Sequence, residues 1–164
     1  MTPAPTGKLA RTARGLDLTL ERRFRAPIDD VWASLTEPER TARWYGPWKG
    51  DPAPGRTIQV QMAYEEDTPW SDVRIEACDP PRHLELVMVD APGEWPIVLS
   101  LSERDGITEL AFTQHLSPDT PVGEIGPGWE YYLDMFSAAH DGGSQPSFDD
   151  YYPAQKDHYE RLVP

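Results

Sequence analysis

The side chains in this sequence that could make or break bonds are few, and none is spaced for it. The four histidines, His83, His115, His140 and His158, form no i, i+4 pair, so only the fold could gather them around a metal. Each has a plainer role. His115 falls one register off Leu110 and Phe112, on the outer face of a strand. His140 lies in phase with an apolar helix stripe near its end, where an imidazolium favours the negative pole of the helix dipole. Cys78 follows an inward Ala77 and precedes Asp79-Pro80-Pro81, with no basic neighbour or helix N-terminus to lower its pKa. Asp149-Asp150 reads as a solvated acidic pair. There is no Walker loop, dinucleotide-binding glycine pattern or Gly-x-Ser-x-Gly elbow, and Gly142-Gly143 is a helix stop. No catalytic residue, no metal and no cofactor is assigned.

What the chain offers instead is aromatic and soft apolar surface: six Trp, seven Tyr, four Phe and four Met. Most of these fill a core. A curved sheet gripping one helix also leaves a wedge between them, and apolar wedges of that kind are typical ligand sites. The residues whose phase points into the wedge are Trp44, Met62, Tyr64, Met88, Trp129, Tyr132 and Phe136. Gln114 joins them, because it shares the inward phase of Leu110 and Phe112. A buried amide there needs a backbone or ligand partner. Arg22 shares phase with Leu16, Leu18 and Leu20, and both a strand-end salt bridge and pairing with an acidic ligand group stay open.

The elements that must hold these residues follow from periodicity. Leu16, Leu18 and Leu20 alternate with polar residues, a half-buried strand. Pro27 suits a helix start, and Ile28, Val31, Trp32 and Leu35 make one helical face. A second short helix is expected from about Glu37 to Trp44, ending in the turn Trp44-Tyr45-Gly46-Pro47-Trp48. Five alternating runs follow, around Ile58, Val73, Leu84, Ile97 and Leu110. Their short connections argue for antiparallel neighbours. Past Pro127 the period becomes helical, with Trp129, Tyr132, Leu133, Phe136 and His140 on one face. Residues 1–14 are expected as a flexible leader, 15–143 as the domain, and 144–164 as an extension packing back on it.

This order resembles the helix-grip fold of the START-like (SRPBCC) superfamily, and within it the activator-of-heat-shock-protein-ATPase-like family. Phe24-Arg25-Ala26-Pro27 with Val31-Trp32-Ala33 is similar to that family's first strand and helix. Thr36-Glu37-Pro38-Glu39 and Arg43-Trp44-Tyr45-Gly46-Pro47 resemble its tryptophan-rich turn. Val73-Arg74-Ile75-Glu76, Pro80-Pro81-Arg82-His83-Leu84 and Gly106-Ile107-Thr108-Glu109-Leu110 resemble its strand and hairpin signatures, and Gly128-Trp129 with Tyr132-Leu133 its final helix. The resemblance spans about Leu16 to Gly142. It implies an α+β fold in which a curved antiparallel sheet wraps a long C-terminal helix, with two short helices after the first strand. It implies binding of a small hydrophobic or amphipathic molecule. The alternatives are a cyclase- or dehydratase-like enzyme acting in the same cavity, or a module that modulates a chaperone ATPase. A chaperone or other protein partner and a homodimer stay open.

Composition narrows the partners. With 28 acidic residues against 15 basic, the formal net charge is −13, which repels nucleic acid. No run reaches the ~18 apolar residues of a membrane helix. One cysteine cannot form an internal disulfide, and no apolar segment follows Met1, so a cytoplasmic protein is expected.

Overall fold

The computed structural model describes residues 3–90 and 93–164. The leucines that alternate near the start build β2 (Leu16–Phe24), where Leu16, Leu18 and Leu20 are all 2% exposed or less. Two short helices follow, α1 (Ile28–Thr36) and α2 (Pro38–Thr41). Pro38 at the first position of α2 explains the break between them, since its missing N–H is unpaired there at no cost. The second helix is shorter than expected and gives way to turns before Trp44.

Strands β3 (Trp48–Lys49), β4 (Thr57–Gln61), β5 (Trp70–Asp79), β6 (His83–Asp90), β7 (Gly93–Arg104) and β8 (Ile107–Leu116) come next. With β1 (Lys8–Arg11) they form one antiparallel sheet ordered β1-β2-β8-β7-β6-β5-β4-β3. β2 closes onto β8 because the two short helices carry the chain across the concave face and out to the far edge. Pro96 sits inside β7 without breaking the sheet. It pairs with Val87 of β6, and pairing to β8 begins only at Ile97.

One irregularity matters for the site. Ile75 pairs with Leu86 and Ala77 with Glu85, so Glu76 is an extra residue on β5. The bulge reverses the phase beyond it. Cys78 therefore faces inward opposite Leu84, and Ala77, expected inward, does not.

Helix α3 (Val122–Asp141) crosses the concave face and ends at Gly142, whose left-handed φ of 74° is a helix stop. It begins five residues before Pro127, which lies inside it. The expected start past Pro127 follows the apolar face, which is readable only from Trp129 on, and the structure carries the helix back to Val122. Gly123 and Gly126 in the added stretch have a packing reason. A Cβ on Gly126 would meet the Tyr159 ring at 2.5 Å, because helix α4 (Lys156–Leu162) lies directly against this end of α3.

Of the leader expected over residues 1–14, the first two residues lie outside the described ones, and the rest includes a paired strand. Lys8–Arg11 pairs with β2 in register Lys8↔Thr19 to Arg11↔Leu16. Ahead of it, Thr6 and Gly7 donate to the Glu130 carboxylate of α3. Tyr151 and Tyr159 of the C-terminal segment are 2% and 0% exposed, packed on α3. Among the described residues no helix is long and apolar enough to cross a membrane.

Candidate ligand-binding site

A cavity of about 410 Å³ lies between the concave sheet face and the helices. Its floor is made of inward residues from four adjacent strands: Ile58 and Val60 of β4, Val73 and Ile75 of β5, Leu84, Leu86 and Met88 of β6, and Ile97 and Leu99 of β7. Phe112, Trp129 and Leu133 close one side. Trp32 and Leu35 of α1 and the turn Trp44-Tyr45-Gly46 with Trp48 close the other. The residues that are both lining and exposed, Glu37, Pro52 and Cys78, mark the rim.

The turn is held in place by bonds that also hide its polar atoms. Trp44 Nε1 donates to Ser34 O at 3.0 Å and Trp48 Nε1 to Thr36 O at 2.8 Å. Thr41 Oγ1 donates to Gly46 O at 2.8 Å. Gly46 itself approaches β4 so closely that a Cβ there would meet Gln61 O at 1.6 Å. With the indole N–H groups turned outward, the rings present carbon to the cavity. Tyr45 stacks parallel to Trp129 (centroids 6.3 Å apart, 8° between planes), and Phe112 lies 4.4 Å from Trp129.

Three of the eight residues predicted from sequence line this space: Trp44, Met88 and Trp129. Gln114 sits just behind the wall at 3% exposure, and Oε1 accepts from Trp129 Nε1 at 2.8 Å. Its carbonyl is therefore satisfied by a side chain, neither backbone nor ligand. Phe136 is fully buried, edge-on to Trp44 and Phe24, on the core side of α3. Tyr132 is buried against Tyr45, and its hydroxyl donates to Glu65 at 2.8 Å. Burial, then the Glu65 carboxylate, pushes its phenol well above the usual tyrosine range. Met62 and Tyr64 lie outside the strand that was to carry them, since β4 ends at Gln61. Met62 Sδ accepts from Ser71, and Tyr64, 38% exposed, donates to Arg43 O at 3.0 Å.

The remaining candidates for chemistry are engaged elsewhere. Arg22 bridges Glu130 at 2.9 Å and Asp134 at 3.0 Å. His140 lies between Asp30 (2.8 Å) and Asp141 (2.9 Å), edge-on to Phe24. Hydrogen bonds from Arg40 and His140 hold the Asp30 carboxyl below its usual range. His115 pairs across the sheet with Asp17. Burial and the neighbouring Asp79 raise the Cys78 thiol above its ordinary value. Among the described residues no cluster of His, Cys, Asp and Glu could hold a metal.

Several wall residues escaped the sequence reading. Tyr45 and Trp48 lie in an aromatic turn that carries no period to give their direction. Cys78 is placed by a bulge, which nothing local announces. Glu37 is placed by the break between α1 and α2, and Pro38 is the signal that could have found it.

The fold and the cavity together define a START-like helix-grip protein. Residues 25–141 match the family model described as activator of Hsp90 ATPase homolog 1-like protein, and the chain belongs to that family. Among solved structures, CalU16 from Micromonospora echinospora is 24% identical with a TM-score of 0.78, over 98% of this chain and 97% of that one. The protein of gene BPP1335 from Bordetella parapertussis is 23% identical with a TM-score of 0.76, covering 100% and 96%. DynU16, a protein of the dynemicin biosynthetic locus, is 20% identical with a TM-score of 0.69, covering 84% and 50%. At these identities the likeness is one of fold. Comparison with curated proteins gives no match.

Proposed function

We propose that this protein binds a small hydrophobic or amphipathic molecule in the cavity between the sheet and α3. One observation carries the reading. The cavity of about 410 Å³ is within the range of small-molecule sites, and its walls are mostly carbon, with the indole N–H groups of Trp44, Trp48 and Trp129 bonded to the protein itself. Removing apolar ligand surface from water supplies about 25 cal/mol per Å², with little polar cost to offset it. A cytoplasmic location accords with a lone cysteine carried as a free thiol.

A cyclase or dehydratase would need acid–base groups facing the bound molecule. The five residues that could have supplied them, Arg22, Tyr64, Gln114, Tyr132 and His140, do not line the cavity, so binding is the reading favoured here.

Thermal unfolding against a panel of neutral hydrophobic compounds tests it. A ligand at ten times its Kd stabilises by about 1.4 kcal/mol, which raises Tm by about 3–6 °C. At least one such compound should do so in the wild type and lose much of its effect in Leu86→Trp, which puts a larger ring into the cavity. A panel in which no compound shifts the wild type contradicts the proposal.

A further inference from the structure

We infer that the cavity selects its ligand by charge: it takes a body that is uncharged where buried, accepts a cationic group at the rim, and rejects carboxylates. The inference rests on the binding proposed above and adds the chemical class.

Donors come first. An anionic ligand needs hydrogen-bond donors or a cation to replace its water, because an unpaired carboxylate in apolar surroundings is strongly disfavoured. No Lys, Arg or His lines the cavity among the described residues. Five hydroxyl and indole donors of the wall are committed to protein acceptors: Thr36 to Trp32 O, Thr41 to Gly46 O, Trp44 to Ser34 O, Trp48 to Thr36 O and Trp129 to Gln114. The indole N–H of Trp32, on α1, has no such partner among the described residues. A neutral donor of this kind can meet a hydroxyl or carbonyl. It cannot hold a carboxylate.

Charge at the rim points the same way. Glu37 is the one carboxylate among the lining residues, its side chain 54% exposed at the junction of α1 and α2. Its nearest cation, Arg40, stands 3.9 Å away and is already bound to Asp30 at 3.0 Å. One guanidinium is thus shared between two carboxylates, Asp30 and Glu37, beside the opening. The net charge of −13 adds a long-range field of the same sign. A fatty acid or an aromatic acid meets no compensation inside and repulsion outside. An alcohol meets neither, and an amine whose ring enters first leaves its ammonium beside Glu37.

The test uses three probes with one tricyclic body: 9-anthracenemethanol, 9-anthracenecarboxylate and 9-(aminomethyl)anthracene. Each is titrated by fluorescence into the full chain at neutral pH and physiological salt. The alcohol and the amine are expected to bind, with the carboxylate at least about tenfold weaker. The amine-to-alcohol affinity ratio should exceed one in the wild type and fall toward one in Glu37→Gln. In Glu37→Lys, an exposed change that leaves the core alone, the carboxylate should recover about three- to tenfold. A carboxylate binding within about twofold of the alcohol in the wild type overturns charge selection and leaves cavity binding standing. An amine-to-alcohol ratio untouched by Glu37→Gln overturns the role of the rim. Failure of all three probes to bind overturns the cavity reading and this inference with it.

Discussion

Trp129 Nε1 donates to Gln114 Oε1 at 2.8 Å, so the polar edge of a cavity-lining ring is satisfied from within the sheet. This bond explains how a buried amide sits beside an apolar cavity without drawing in a polar ligand group. It ties α3 to β8 at the height where Phe112 packs on the indole. Replacing one partner strands the other, which costs about 1–3 kcal/mol for a buried group. Gln114→Leu and Trp129→Phe should each destabilise by that amount in urea unfolding. The double variant should cost less than the sum of the two, and strict additivity would show that the bond contributes nothing.

Glu130 ties together both ends of the chain. Its carboxylate, 2% exposed, accepts from Thr6 N, Thr6 Oγ1, Gly7 N, Arg22 Nη2 and Tyr159 Oη. Burial pushes its pKa up, but the hydrogen bonds from Tyr159, Thr6 and Arg22 prevail and hold it below the ordinary value. A carboxyl lowered in the folded state stabilises fully above its unfolded pKa of about 4.3, and that stability is lost as pH falls through the folded value. Wild-type unfolding free energy should therefore decline from about pH 5 downward, and Glu130→Gln should flatten that slope. Glu130→Ala, which strips Arg22 of one of its two carboxylates and leaves the Thr6 N–H and the Tyr159 hydroxyl without their acceptor, should cost about 3–5 kcal/mol at neutral pH. Equal acid slopes in wild type and Glu130→Gln would remove this account.

The contrast between Glu130 and the leucines shows what was legible beforehand. Leu16, Leu18 and Leu20 announce β2 by a local period of two, and the same period turns Met88 and Gln114 inward. Glu130 carries no such signal. Its partners lie at Thr6 and Tyr159, 124 and 29 residues away in sequence, so a strand was read as a loose leader. Tyr64 shows the other failure. A period is trustworthy only while the strand lasts, and the chain leaves β4 at Gln61 for a turn in which Asp67 and Thr68 take φ of 64° and 41°. Cys78 shows a third, where one extra residue at Glu76 inverts everything after it. The fold was readable because its elements are long and regular. The wall of the cavity was only half readable because it is built at their ends.

Gly46 should tolerate no side chain. A Cβ there collides with Gln61 O, and the displaced turn carries both Trp44 and Tyr45 into the wall. Gly46→Ala is expected to lower stability by at least about 1–3 kcal/mol and to weaken binding of any cavity ligand. Thermal unfolding together with a probe titration measures both. Unchanged values would mean that the close approach to β4 is not needed.

Cys78 gives a reporter at the rim. Its thiol is exposed yet raised above its ordinary pKa by burial and by Asp79, so the thiolate is scarce near neutrality. Iodoacetamide should alkylate it slowly at pH 7, speeding up about tenfold per pH unit until the thiol titrates. A saturating cavity ligand should slow the reaction. Alkylation at one rate with and without ligand would place bound molecules away from this rim.

The most direct measurement of the central claim is where a bound probe sits. Met88 lines the cavity, whereas Met62 and Met135 belong to its surroundings and not to its wall. With methyl-labelled methionine and 9-anthracenemethanol, isotope-filtered NMR should show contacts from the ring protons to the Met88 methyl and none to Met62 or Met135. A bound probe whose contacts bypass Met88 would contradict an apolar ligand site between the sheet and α3.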